Sequence, residues 1–313
     1  VPAGGADGVF SELIAELGLN EAVSFIKVAS GLHVRLGESR YVLPNDPDEL
    51  FGTLAERFAA ERGGLARLRR DIEHHAPLYF DLIEGRLNAW KIAMRFVPRL
   101  GVFLRHTDLP TERYLSQFVG DATLRTLLFQ PAVFFGCPAA EFPAVNYIVM
   151  FHLLMLHGMY TIRGGGNALS RALADRLTGL GGEIRCGTKA AKVVVRRGAV
   201  VAVRTADGEE IGASAVVSNV NTPSLVEELV GREHFPASYL RALGKVGNSL
   251  SVVQLHAGLD CRAAQAGIDG YLTTVFPGSD VDACIARQRT SRLPEGYSVT
   301  VPAAEDASVR GAK

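Results

Sequence analysis

Cysteine is scarce. Cys137, Cys186, Cys261 and Cys284 are the four in 313 residues. No two have the C-x-x-C spacing of a zinc site, and they are too scattered for a disulfide scaffold. So few cysteines point to a reducing compartment. An excess of either charge is also missing, because 33 Lys and Arg balance 33 Asp and Glu. That excludes the basic surplus of a dedicated nucleic-acid binder. The opening Val1-Pro-Ala-Gly-Gly-Ala-Asp-Gly8 has neither a basic n-region nor an apolar h-region, so it is not a signal peptide. There is no initiator Met, and both ends read as cut. The expectation is an internal segment of a longer chain. G-x-x-x-x-G-K-[ST], H-E-x-x-H, G-x-S-x-G and G-x-G-x-x-G are all absent. Among the eight histidines, His74 and His75 are adjacent and His152 and His157 are five apart. Neither spacing sets two imidazoles on one α-helical face, which needs three or four. No metal site is therefore expected, and His74-His75 reads as a solvated helix pair.

What is present is globular. Hydrophobic residues make up 48% and charged residues 21%, far from the signature of disorder. The length suits about two domains. Val9, Leu13 and Leu17 share a helical face that Gly18 closes. Ala22–Val28 reads as a strand, and residues 32–43 as a hairpin turning at Gly37. Asp46 or Asp48 can cap the following helix, with Pro47 in its first turn. Helical patterning then continues to about residue 160, broken at Gly63-Gly64 and at several prolines. Within it Arg67, Arg69, Arg70, Arg86, Lys91, Arg95, Arg99 and Arg105 alternate with Trp90, Met94, Val97, Leu100 and Leu104. Such a stretch is either a helix with a solvated basic face or one lying on an anionic membrane surface.

Phe142–Ile162 contains no Asp, Glu, Lys or Arg. Pro143, Asn146, His152, His157 and Gly158 inside it argue against a membrane span and for a buried helix beside an apolar cavity. Tyr147, Ile148, Phe151, His152, Met155 and Met159 are its candidate cavity residues, with ordinary core as the competing reading. Beyond it, Gly164-Gly-Gly166 enters a helix capped by Asn167 and buried through Leu169, Leu173, Leu177 and Leu180. The triple glycine reads as a flexible helix entry before an anion site. Then come a strand Glu183–Cys186, a hairpin Lys192–Arg204, a turn at Asp207-Gly208, and an apolar strand Ala215–Asn219 fit for the middle of a sheet. Leu225–Leu229 reads as helix, and Ser249–His256 and Tyr297–Val301 as strands.

One ordered constellation stands out. It runs Tyr160-x-x-Arg163-Gly-Gly-Gly-Asn-Ala-Leu169, helix, Gly181-Gly-Glu-Ile-Arg185, Thr188-x-x-x-Lys192-Val-Val, Gly198-x-Val-x-x-Val203, Ala206-Asp-Gly-Glu-Glu210, Ala215-Val-Val-Ser-Asn219. It resembles the phytoene-desaturase-like, amine-oxidase-type FAD-dependent oxidoreductases, the relatives of carotenoid desaturases and retinol saturases. Ile162-Arg163 stands where that family often has a Pro. The resemblance implies an α/β fold of the two-domain, FAD-linked, glutathione-reductase type, present in part, with a mixed-sheet substrate domain and a helical cover. It divides the chain into substrate domain (1–160), part of the FAD domain (161–222) and further substrate domain (223–313). It also implies FAD as cofactor and Lys189, Ala190, Ala191, Ser218 and Asn219 as contacts near its adenosine half. Tyr147, Phe151, His152, Met155 and Met159 become the substrate-binding set.

The implied activity is desaturation, saturation or isomerisation of a hydrophobic polyene or isoprenoid-like small molecule by hydride transfer with flavin. A noncatalytic lipid binder and a peripheral membrane module are the competing classes. The implied location is cytoplasmic with peripheral membrane contact. No catalytic residue is assigned. The family's phosphate-binding G-x-G-x-x-G turn and its C-terminal flavin-contacting segment are not in these residues, so this chain alone is expected to hold FAD poorly or not at all.

Overall fold

A computed structural model of the chain describes residues 8–83, 85, 88, 90, 92–246, 251–288 and 295–309. The chain forms two units, one from residues 1–176 with 250–313 and one from 177–249. It is mixed α/β.

In the larger unit, α1 (Val9–Glu16) leads to β1 (Phe25–Lys27), a shorter strand than its apolar run suggests. β1 pairs antiparallel with β4 (Tyr160–Ile162). β2 (Leu32–Leu36) and β3 (Ser39–Leu43) form the expected hairpin. β2 also pairs in parallel with β8 (Leu272–Phe276), which pairs antiparallel with β9 (Tyr297–Thr300). The order β3-β2-β8-β9 is thus a mixed sheet. Alternation along β2 buries Leu32, Val34 and Leu36 against the helices.

The helical layer begins with α2 (Pro47–Arg57), whose cap is Asp46: its carboxylate accepts from the N–H groups of Asp48 and Glu49. α3 (Arg62–Ile83) follows, then helices Leu100–Asp108, Thr111–Ser116, Ala122–Phe129 and Ala144–Phe151. Leu50, Leu54, Leu68, Ile72, Tyr79, Tyr114, Tyr147 and Phe151 fill the core between helices and sheet. Gln130 and Thr274, both fully buried, satisfy each other across that core at 2.9 Å.

The smaller unit is a three-stranded antiparallel sheet, β5 (Ala190–Arg196), β6 (Ala199–Thr205) and β7 (Glu210–Gly212). Arg197 and Gly198 both have positive φ, +53° and +77°, which makes the β5–β6 connection a two-residue turn of the hairpin kind.

Several expectations fail for physical reasons. Glu183–Cys186, Ala215–Asn219 and residues 251–256 are not strands. The last two are apolar runs, yet none of the three pairs with a described strand to complete a ladder, and Ser249 and Leu250 of the expected Ser249–His256 strand lie outside the described residues. Val217, expected in mid-sheet, is 100% exposed. The helix Gly166–Gly179 begins before Asn167, which therefore sits inside its first turn rather than capping it. Leu173, Leu177 and Leu180 are exposed. The helix meets the small core of Ile14, Leu19, Val23 and Ile162 through Ala168, Leu169 and Ala172 instead. The expectations for Arg86 and Lys91, and for the side chain of Arg95, lie outside the described residues.

Candidate functional site

In the larger unit the uncharged run bends where Ala144–Phe151 passes into a single π-turn, His152–Leu156. This turn and the strand edges enclose an apolar cavity of about 290 Å³. Leu32 of β2, Leu272 of β8, Leu154 and Met155 of the turn, and Met159 just beyond it form its walls. A second depression, of about 430 Å³ beside α1, has a mixed lining: Ile14, Ala15, Val23 and Phe25 together with Ser11, Glu12 and Asn20.

Two of the five expected substrate residues, Met155 and Met159, line the apolar cavity. Tyr147 and Phe151 lie in the core. The Tyr147 hydroxyl donates to the Leu128 carbonyl at 3.1 Å, and burial holds its phenol well above the ordinary range. Ile148 is likewise buried. His152 faces His157, with Nε2 atoms 3.0 Å apart. That contact overturns the expectation from their spacing: the π-turn closes with His157 N–H donating to the His152 carbonyl at 3.0 Å, bringing residues five apart onto one face. Burial, then the neighbouring His157, lowers the His152 imidazole to about 4.

A polar cluster in the helical layer escaped the sequence reading. The Tyr114 hydroxyl donates to Asp71 Oδ2 at 2.7 Å, and Tyr79 Oη lies 2.9 Å from His106 Nδ1. His75 lies between them, stacked on Tyr79, with only 12% of its side chain exposed. It is not the solvated partner of His74 that was expected. Burial lowers both His75 and His106, keeping them uncharged at neutral pH. The signal was present: Asp71, His75 and Tyr79 recur every four residues along α3.

The triple glycine already has its anion. Gly164 N–H donates to Asp306 Oδ2 at 2.6 Å, and Asp306 also accepts from the Ser308 hydroxyl at 2.7 Å. Gly164 and Gly165 both have positive φ, +78° and +73°; the Gly164 N–H reaches the carboxylate, whereas the Gly165 N–H donates to the Ile162 carbonyl at 2.8 Å.

In the smaller unit, Lys189, Ala190 and Ala191 lie exposed at the start of β5. The pairing passes from Ala190 opposite Thr205 to Lys192 opposite Arg204, so Ala191 is the extra residue of a bulge. The Lys189 carbonyl accepts from Ala206 N–H at 2.9 Å. Ser218 and Asn219 are exposed on irregular chain, with Ser218 Oγ accepting from Val220 N–H at 3.4 Å.

The larger unit is thus a mixed sheet under a helical cover, with an apolar-lined pocket beside Leu32, Met155 and Leu272. The family follows from the sequence match: the chain belongs to the flavin containing amine oxidoreductase family, whose model matches residues 4–296. The chain is 26% identical over 185 residues to a 4,4'-diapolycopene oxygenase of a Methylomonas species, covering 59% of this chain and 36% of that protein. It is 34% identical over 146 residues to a phytoene dehydrogenase of Streptomyces griseus, covering 47% and 27%. The matches thus span between 22% and 36% of the length of the first curated relatives. Among solved structures, the PF1083 protein of Pyrococcus furiosus aligns at TM-score 0.50 and 14% identity, over 96% of this chain and 74% of that one, a likeness of fold.

Proposed function

We propose that the protein is an FAD-dependent oxidoreductase that desaturates, saturates or isomerises a hydrophobic polyene or isoprenoid-like substrate. The observation that carries this is the coincidence of a flavin-family match over residues 4–296 with an apolar cavity walled by Met155 and Met159. A long apolar ligand needs a dry, concave site of this kind. Its curated relatives include carotenoid desaturases, such as the hydroxyneurosporene desaturase of Rubrivivax gelatinosus.

The residues present fit one end of FAD. The bulge at Ala191 and the small side chains of Ala190 and Ala191 leave the start of β5 open to a flat ring. They do not supply a phosphate grip: the Gly164 N–H is already taken by Asp306 and the Gly165 N–H by the Ile162 carbonyl. Ser218 and Asn219 join the adenosine side in this reading. In the proposed glutathione-reductase-type arrangement, residues 161–222 belong to the FAD domain and 1–160 with 223–313 to the substrate domain. Bound flavin supplies the hydride donor or acceptor. The chain's own part is to orient the substrate carbon and exclude water. Tyr147, Phe151 and His152 back the wall that Met155 and Met159 present.

We place the protein in the cytoplasm, in peripheral contact with membrane. Trp90, Met94, Val97 and Leu104 are exposed in the stretch that also carries Arg99 and Arg105. Among the described residues no helix is long and apolar enough to cross a membrane. The test of the activity is anaerobic turnover of an acyclic polyene by FAD-supplemented protein, followed by polyene and flavin absorbance. Coupled changes in both are expected. FAD is supplied in large excess because the chain provides no phosphate grip; polyene and flavin absorbance that both stay unchanged under that excess overturn the reading.

A further inference from the structure

We propose that His152 and His157 form a chelating site for a late first-row divalent metal ion of the zinc, nickel or copper(II) class, held through their two Nε2 atoms. The geometry is that of a bidentate bite. Two imidazole nitrogens, each about 2.0–2.1 Å from one ion at angles between a right angle and the tetrahedral value, lie roughly 2.9–3.4 Å apart. Here the separation is 3.0 Å. The rings meet at 75° with centroids 4.5 Å apart, and the two Nε2 atoms share one hydrogen bond, which a bound ion would replace with loss of that proton.

The backbone is shaped to create this contact. In a regular α-helix, positions five apart diverge by about 140° around the axis. The π-turn removes that divergence through the bond from His157 N–H to the His152 carbonyl. Single π-turns are frequent at functional sites. His157 is exposed and gives an ion access from solvent, while His152 is half-buried and fixed by its surroundings. The Glu73 carboxylate acts electrostatically on His152, adding negative potential on that side. Imidazole pairs select zinc, nickel and copper over magnesium and calcium.

Among the described residues no third His, Cys, Asp or Glu converges on the pair, so water completes the coordination shell. His152 Nδ1 is buried without a hydrogen-bond partner. It lacks the carboxylate or carbonyl that usually orients a ligating histidine, which weakens affinity by about 10–100-fold. The site is therefore an exchangeable one. Leu154 and Met155 lie between the two histidines, so a bound ion staples the stretch that walls the apolar cavity.

The experiment uses the full chain at pH 7.5. Zinc is competed against a chromogenic chelator, and copper(II) is examined by electron paramagnetic resonance. The expected result is one ion per chain, with hyperfine splitting from two imidazole nitrogens. His157→Gln is expected to lower affinity at least about tenfold and to remove one nitrogen from the spectrum. His74→Gln should change neither. His157 is exposed, so its variant keeps the fold, and it decides the question alone should His152→Gln fail to fold. Zinc uptake by His157→Gln equal to that of the unmodified chain, no uptake by either, or a copper spectrum without paired nitrogen splitting overturns the proposal.

Discussion

The side chain of Asn45 binds both backbone polar groups of Met159, 114 residues further along the chain. Its Oδ1 accepts the Met159 N–H at 2.7 Å, and its Nδ2 donates to the Met159 carbonyl at 2.9 Å and to the Val28 carbonyl at 2.7 Å. One buried amide thus acts as a segment of strand, holding the exit of the β2–β3 hairpin to the end of the uncharged run. Asn45→Ala takes its partner from the Met159 N–H and from the Val28 carbonyl, while the Met159 carbonyl keeps the Val28 N–H at 3.0 Å; a loss of about 1–3 kcal/mol is expected from urea denaturation. Asn45→Asp keeps the acceptor and loses the donor, so it should remain clearly destabilised. A variant as stable as the parent would show that water replaces these bonds.

Asp306 gives a pH dependence with a definite sign. The Ser308 hydroxyl, then the N–H groups of Gly164 and Ser308, hold its carboxyl below the ordinary range. A carboxylate lowered in the folded state stabilises fully above its unfolded value of about 3.9, and that stabilisation fades as pH falls through the lower folded value. Asp306→Asn should therefore be less stable than the parent at pH 7, and the gap should narrow as the pH falls below about 4. Urea midpoints across that range make the comparison. A gap that stays constant with pH would assign the effect to packing.

Gly31 has φ +68°, and a methyl group added there would strike the Leu43 carbonyl on the partner strand of the hairpin. Gly31→Ala combines left-handed strain with that clash, and a loss of about 1–3 kcal/mol is expected. Gly101, in the helix Leu100–Asp108, has open space around it. Gly101→Ala should be neutral or stabilising by about 0.5–1 kcal/mol through helix propensity. Thermal melts of the two variants should move in opposite directions or differ by several degrees.

What the sequence revealed follows the range of the interactions involved. α1, the 32–43 hairpin, the Asp46 cap and the β5–β6 turn depend on neighbours within a few residues, and all were readable. The parallel pairing of β2 with β8 joins residues about 240 apart, and no local pattern announces it. Ala215–Asn219 shows the converse. Its apolar run satisfies every local rule for a strand, but a strand exists only with a neighbour, and the described residues provide none. The His152–His157 contact was missed because the spacing rule assumes α-helical geometry, and the π-turn changes the period. Of the candidate site, the uncharged run Phe142–Ile162 is buried helix only over Ala144–Phe151; it then passes through the π-turn and ends as the strand Tyr160–Ile162, which the absence of charge alone did not reveal. Which of its residues reach the cavity depended on where the α-helix ends, because Leu154, Met155 and Met159 all lie beyond Phe151, in the π-turn or the chain that leaves it.

Core and cavity wall thus follow one another along a single run of sequence, and two substitutions test the separation. Met159 lines the cavity, whereas Tyr147 lies wholly within the core with its hydroxyl on the Leu128 carbonyl. Met159→Trp adds volume where an apolar ligand would sit, and a fall in polyene binding of about tenfold or more is expected. Tyr147→Phe keeps the ring and removes one buried hydrogen bond, so stability should drop by about 1 kcal/mol while binding is unchanged. Binding is read from the visible absorbance of retained polyene and stability from urea midpoints. If Tyr147→Phe weakens binding as much as Met159→Trp does, the ligand reaches past the cavity wall into the core. If neither does, the polyene occupies a different part of the protein.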